Sequence, residues 1–261
     1  MAAREGDMTT LAFLGDFGGA VEFIFRQRDS VGGGVQVGGL GEIGDLLVEH
    51  LLVSLAAMAI ACAVAIPLGL YLGHVGRGEF IAITVSNVGR AVPALALLAF
   101  FIAFLGIGFK NVTAVLVLLT LPPILTNTYV GARGVDSEVV DAARGMGMSG
   151  AQIVRRVRVP LALPTIFAGV RTSAVSVLAT ATIAPLANVQ TLGEPIINPQ
   201  TYGFEGGLGA AIVIGVVTIT ADAGIGFAQR AVTPKGIKLA QGGGRGRMRL
   251  SLPTRRREAA T

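Results

Sequence analysis

The sequence predicts an all-α integral membrane protein with five transmembrane helices. Three observations carry that prediction. The chain is 52% hydrophobic and only 14% charged, with a mean hydropathy of +0.69, whereas a soluble domain carries about 25% charged residues. Five apolar runs each reach or approach the ~20 residues that cross ~30 Å of hydrocarbon. Lys and Arg gather in the segments on one side of those runs, as the positive-inside rule requires. The 37 glycines fit the same class, because small residues let helices approach closely. The one cysteine, Cys62, lies inside an apolar run and has no disulfide partner in the chain. There is no Trp, which leaves Tyr71, Tyr129 and Tyr202 as interfacial anchors.

Residues 1–45 read as an amphipathic amino-terminal segment and linker. The stretch Leu11 to Phe25 is interrupted by Asp16 and Glu22, so it is not the unbroken core of a cleavable signal peptide. Leu11, Leu14, Val21 and Ile24 recur at helical spacing, with Phe13, Phe17 and Phe25 nearby. That pattern predicts a helix lying on the membrane surface. Gly32 to Gly34 and Gly38-Gly39 predict a flexible linker. The spans follow within 46–238: Leu46 to Leu72, Phe80 to Leu105 with Arg90 and Pro93 inside, Val112 to Val130 with Pro122-Pro123, Leu161 to Ala187, and Leu208 to Gln229 with Asp222 inside. Residues 239–261 are Gly-rich and basic, which predicts a disordered tail able to rest on anionic lipid.

A polar, basic stretch separates the third and fourth runs: Glu138 to Pro164, EVVDAARGMGMSGAQIVRRVRVPLALP. Val139, Val140 and Ala143 form an apolar stripe opposite Glu138, Asp141 and Arg144, which predicts a short amphipathic helix. Gly145 and Gly147 end it, and Ser149 is placed to cap a second helix over about 151–157. Pro160 and Pro164 should end that second helix and start the next run. The result is a hairpin held at the membrane surface, within a loop spanning 131–164. Arg and Lys abound in 73–79, 131–171 and 230–261, while the 188–207 loop has none. The expected orientation is therefore N-terminus outside, and hairpin and C-terminus in the cytoplasm.

The hairpin resembles the cytoplasmic loop of the membrane permeases of binding-protein-dependent ABC importers. That motif is Glu-Ala-Ala, three residues, Gly, nine residues, Ile-x-Leu-Pro. This chain has Asp141-Ala142-Ala143, then Gly147, then Val157-Arg158-Val159-Pro160, with every spacing kept. Asp replaces Glu, and Val replaces Ile and Leu. The resemblance implies the type I importer permease fold. It also implies that Asp141, Ala142, Ala143, Gly145, Gly147, Val157 and Pro160 dock on a separate ATPase subunit. Within that superfamily the chain is most similar to the osmoprotectant branch, importers of glycine betaine, choline and carnitine. Arg90-Ala91-Val92-Pro93, Gly106-Ile107-Gly108, Asn127-Thr128-Tyr129, Gly169-Val170-Arg171-Thr172 and Pro234-Lys235-Gly236 carry that similarity. The branch usually has a Gly-rich turn after the fourth span. Asn188 to Glu194 keeps only Gly193 there, which bears on the outer gate.

The implied partners are ABC ATPase subunits, a second permease copy or a related permease, an extracytoplasmic substrate-binding protein and membrane lipid. No nucleic acid is expected. The implied cofactors, ATP and Mg²⁺, sit on the ATPase, and the chain itself is not expected to be an enzyme. It has no G-x-x-x-x-G-K-[ST] to hold nucleotide phosphates. Gly145 to Gly150 fits G-x-G-x-x-G but lacks the preceding strand and the later acidic residue of a dinucleotide site. His50 and His74 lie at opposite ends of one run and suggest no metal site.

Arg90, Pro93, Asn127, Thr180 and Thr182 are the candidate translocation residues. Each has a plainer reading, as a structural clamp or a cross-helix hydrogen bond. Asp222 reads as a partner for an inner-side Arg such as Arg230. Gly69-Leu-Tyr-Leu-Gly73 is a G-x-x-x-G that marks either close packing or chance. Two further functions stay open: a permease for another small solute such as an amino acid, and a membrane scaffold that recruits a partner through the hairpin without transport.

Overall fold

The computed structural model describes residues 15–76, 84 and 92–233. Arg90, the basic tail, and the first part of the expected second span therefore lie outside the described residues. The described chain is helical apart from one hairpin. Helix α1 covers 15–25, strands β1 (Gln27–Asp29) and β2 (Gln36–Gly38) pair antiparallel, and α2 runs Gly39–Val75. Then come α3 (Ala94–Leu105), α4 (Phe109–Arg133), α5 (Ser137–Gly145), α6 (Gly150–Ala187), α7 (Glu194–Ile197) and α8 (Pro199–Val232). Helices α2, α4, α6 and α8 are each long and apolar enough to cross a membrane, and α3 is a shorter apolar helix. At 1.5 Å per residue α2 is about 55 Å long, so its ends project beyond the hydrocarbon.

Three sequence expectations need correcting. The Gly-rich segment expected as a flexible linker is a β-hairpin, closed by Ser30 N–H to Val35 O at 2.8 Å. Its glycines supply the turn: Gly33 and Gly34 take φ of 77° and 80°, which only glycine adopts cheaply. Second, Pro160 and Pro164 do not end a helix. The chain passes from Gly150 into the fourth span through a π segment, Val154–Arg158, and Val159 N–H bonds Val154 O. A π turn moves the donor pairing by one residue, which accommodates the missing N–H of Pro160. Third, the fifth span begins earlier than expected, at Pro199, with a kink at Gly203 (φ 68°).

Helix α1 is a docked helix as well as an amphipathic one. Ala20 and Phe23 are buried, and Phe23 joins Val37, Ile43, Leu46, Leu192 and Tyr202 in one cluster. Phe17 and Phe25 remain exposed on the other side. Polar bonds close the same knot: Arg28 pairs with Glu205 and donates to Tyr202 O, and the Tyr202 hydroxyl donates to Glu42 at 2.7 Å.

The main core lies among α2, α3, α4 and α6, around Val53, Leu98, Leu116, Val177 and Ala181. Gly69 and Gly73 are a true packing motif. A Cβ on either would lie 2.7 Å from a side-chain carbon of α4, on Thr128 or Ala132, so α2 and α4 approach only because these residues are glycine. His50 is a tie, with Nε2 2.9 Å from Leu178 O across the α2–α6 seam.

Candidate functional site

The hairpin is built by four local devices. Asp136 caps α5, its Oδ1 accepting from Glu138 N–H at 2.9 Å. At the other end Met148 N–H bonds Ala143 O and Gly147 N–H bonds Arg144 O, the paired bonds of a Schellman motif. Gly147 sits at its left-handed position, with φ 80°. Ser149 then opens α6 with a capping box: its Oγ accepts from Gln152 N–H, and Gln152 accepts from Ser149 N–H at 2.8 Å. Val140, Ala143 and Ile153 bury against one another, with Val135, Met148 and Val157 beside them. The two short helices thus form one small unit with its own core.

That unit is fastened to the bundle at its root. Arg158 is buried and its Nη1 donates to Ala132 O at the end of α4. Gly150 lies against His74 at the end of α2. A shift of the hairpin therefore pulls on α2, α4 and α6 together.

The expected coupling residues divide into a face and a root. Asp141, Ala142, Gly145 and Gly147 are exposed, Ala143 is in the hairpin core, and Val157 and Pro160 are half-buried where α6 leaves the hairpin. Asp141 pairs with Arg144 at 2.9 Å, but both side chains are about two-thirds exposed (68% and 65%), so the pair adds little stability. Val139 is a correction: it is 44% exposed instead of lying in the stripe beneath the hairpin. Met146, at 76% exposure, was not singled out by the sequence reasoning. Both apolar side chains are thus exposed on the hairpin. Only the turn geometry turns Met146 outward, and no sequence signal identified it.

Among the described residues, the candidate translocation residues do not converge. Pro93 is exposed at the start of α3. Asn127 lies in the α4–α6 seam beside Gly169 and donates to Pro123 O at 2.8 Å. Thr180 and Thr182 lie near the other end of α6, with Thr182 donating to Ala179 O. From Gly169 to Thr180 is about 16 Å along the helix.

Two features escaped the sequence reading. Asp222 pairs with Arg171, not with Arg230. Arg171 Nε and Nη2 donate to its two carboxylate oxygens at 2.8 and 2.5 Å, bridging α6 and α8. Two apolar runs far apart in sequence give no hint of that register. The turn after α6 is the other. Asn188 takes a left-handed φ of 58°, a conformation Asn tolerates among non-glycine residues. Thr191 donates to Ala181 O and accepts from Gly193 N–H. A Cβ on Gly193 would lie 1.9 Å from Thr182 O. One glycine and one Asn thus suffice for a turn in which the branch commonly has several glycines.

Fold and hairpin define a membrane component of a binding-protein-dependent importer. The model of the family described as "Binding-protein-dependent transport system inner membrane component" matches residues 65–237. The chain belongs to that family, and it is a multi-pass inner-membrane protein. It is 37% identical over 191 residues to the glycine betaine/carnitine/choline transport system permease protein OpuCB of Bacillus subtilis (strain 168), covering 73% of this chain and 88% of that one. It is 38% identical over 197 residues to the carnitine transport permease protein OpuCB of Listeria monocytogenes, covering 75% and 90%. Among solved structures it matches inward-facing conformations of the MetNI methionine ABC transporter, with a TM-score of 0.64 at 20% identity over 75% of this chain and 98% of that one. It also matches an amino acid ABC transporter, with a TM-score of 0.59 at 20% identity over 74% and 94%. These two establish the fold, that of a type I importer permease.

Proposed function

We propose that this chain is the permease subunit of an ATP-driven importer for quaternary-ammonium osmoprotectants of the glycine betaine, choline and carnitine type. The observation that carries the reading is 37–38% identity across about nine-tenths of permeases named for those solutes. Two permease chains form one path, as a homodimer or with a related permease. A binding protein delivers the solute outside, and ATP with Mg²⁺ acts on separate ATPase subunits inside. The hairpin face of Asp141, Ala142, Gly145 and Met146 meets the ATPase. Its root at Arg158 and Gly150 passes the motion to α2, α4 and α6, and the spans rock between two states. The N-terminus and the 188–207 loop lie outside, and the hairpin and tail inside. Pro93, Asn127, Thr180 and Thr182 are candidates for the path; the Asn127 amide and the Thr182 hydroxyl each already hydrogen-bond within their own helix.

The test is uptake by the complete complex in proteoliposomes, with labelled glycine betaine and choline against methionine, and calorimetric titration of the same solutes into the binding protein. Uptake of a quaternary ammonium solute, and its tight binding by that protein, is the expected result. Uptake of an amino acid alone would replace the substrate assignment, and absence of any ATP-dependent uptake would favour the scaffold.

A further inference from the structure

Both α6 and α8 keep an exposed side. Along α8 the exposed residues include Val216, Ile219 and Phe227, together with Thr220, Ala223 and Gly224. On one side of α6, between the exposed Leu161 and Leu186 towards its two ends, Ala168, Thr172, Val175, Ser176 and Ala179 are exposed. Apart from Val175 these residues are small, and two carry hydroxyls. Beside this strip stands the Arg171–Asp222 pair, its side chains 39% and 35% exposed. With Ala168, Thr172 and Val175 the pair lines an open cavity of about 420 Å³. Charged groups inside a spanning segment face a bundle interior or a water-filled path, because hydrocarbon solvates them poorly. The pair opens onto that cavity and not onto the buried core of its own chain.

We infer that Arg171 and Asp222 form a way-station for the carboxylate and the quaternary ammonium of a zwitterionic solute in the translocation path. The inference rests on the osmoprotectant reading above. The chemistry matches at both ends. A guanidinium takes a carboxylate through two parallel N–H bonds, the geometry in which Arg171 now holds Asp222. A trimethylammonium group has no N–H and is held by charge and contact alone, which a carboxylate beside the cavity supplies. When a betaine enters, one ion pair opens and two form, and the hydration that the solute sheds offsets the gain, so the exchange is near balance. Such a site admits the solute and also releases it, as a conducting path must. Gly226, one turn from Asp222, sets no side chain against the guanidinium; a Cβ there would lie 3.6 Å from Arg171 Cζ. Thr172, in the adjacent position on α6, lines the cavity wall with its hydroxyl donating to Ala168 O at 3.0 Å.

The experiment uses the complete complex in proteoliposomes and compares uptake of glycine betaine, which has the carboxylate, with choline, which lacks it. The ratio of the two does not depend on how much complex assembles. For Arg171→Gln the choline-to-betaine uptake ratio should rise about tenfold, the weight of one lost charge-assisted contact. The double variant Arg171→Gln/Asp222→Asn leaves no unpaired charge in the span. It should show the same rise in ratio, with both rates lowered. Arg171→Lys keeps the charge and loses the fork, so a smaller rise is expected. An unchanged ratio in all three, with both rates falling in parallel, would make the pair a structural clamp and overturn the inference. A wild-type complex that takes up neither solute would instead overturn the osmoprotectant reading on which the site depends.

Discussion

Replacing Gly147 tests the coupling hairpin most directly. No atom lies within 4 Å of a Cβ built there, and φ is +80°, so the perturbation is almost purely backbone. A left-handed Ala costs roughly 1–2 kcal/mol relative to glycine, and Asn costs less because it visits that region more readily. A β-branched Val costs more, since positive φ is a genuine outlier for it. One to two kcal/mol moves an equilibrium about 5- to 30-fold. The hairpin can shed that strain by giving up the bonds from Gly147 and Met148 to Arg144 O and Ala143 O, which tilts α5 against the start of α6. The spans keep their own packing, because the hairpin core of Val140, Ala143 and Ile153 is separate from the main one. Substrate-stimulated ATP hydrolysis and uptake should fall together in the order Asn, Ala, Val while the permease still inserts. The assay is the reconstituted complex, with ATPase rate and uptake measured on one preparation. Normal coupled transport in Gly147→Val, or equal loss in Asn and Val, would show that the angle at this turn is not what the ATPase reads.

Two more outcomes follow from the same structure. In a Cys62→Ser background, an impermeant thiol reagent should label Gln200→Cys in intact cells and Ala151→Cys only after permeabilisation; both positions are exposed, and neither carries a cap. The reverse pattern would invert the proposed topology. Gly193→Ala would bring a methyl within 1.9 Å of Thr182 O, whereas Gly215 has nothing within 4 Å. The first should cost at least the ~1–3 kcal/mol of an overpacked core and lower the melting temperature of the purified permease, while Gly215→Ala should not. Equal melting temperatures would mean that the turn after α6 relaxes freely.

The fold class and the hairpin were legible in the sequence because both rest on local or periodic signals. Apolar runs report spans through the cost of burying polar groups in hydrocarbon. Ser149 and Gly147 report a cap and a left-handed turn through the preferences of single residues. What sequence alone misjudged was of a different kind. Pro160 reads as a helix stop by its own chemistry, yet a π segment carries the helix past it, since the spans around it favour continuity. The Gly-rich 32–39 stretch reads as a linker, but β1 and β2 pair and Phe23 closes over Val37. The Arg171–Asp222 pair, the exposure of Met146 and the contact of Gly193 with Thr182 O depend on how α6 meets α8, or on which way a turn faces. Local chemistry determined which elements form and where the hairpin turns. Tertiary packing alone decided which charges meet and which side chains face outward, because register between distant helices is set by their mutual fit and by no residue singly.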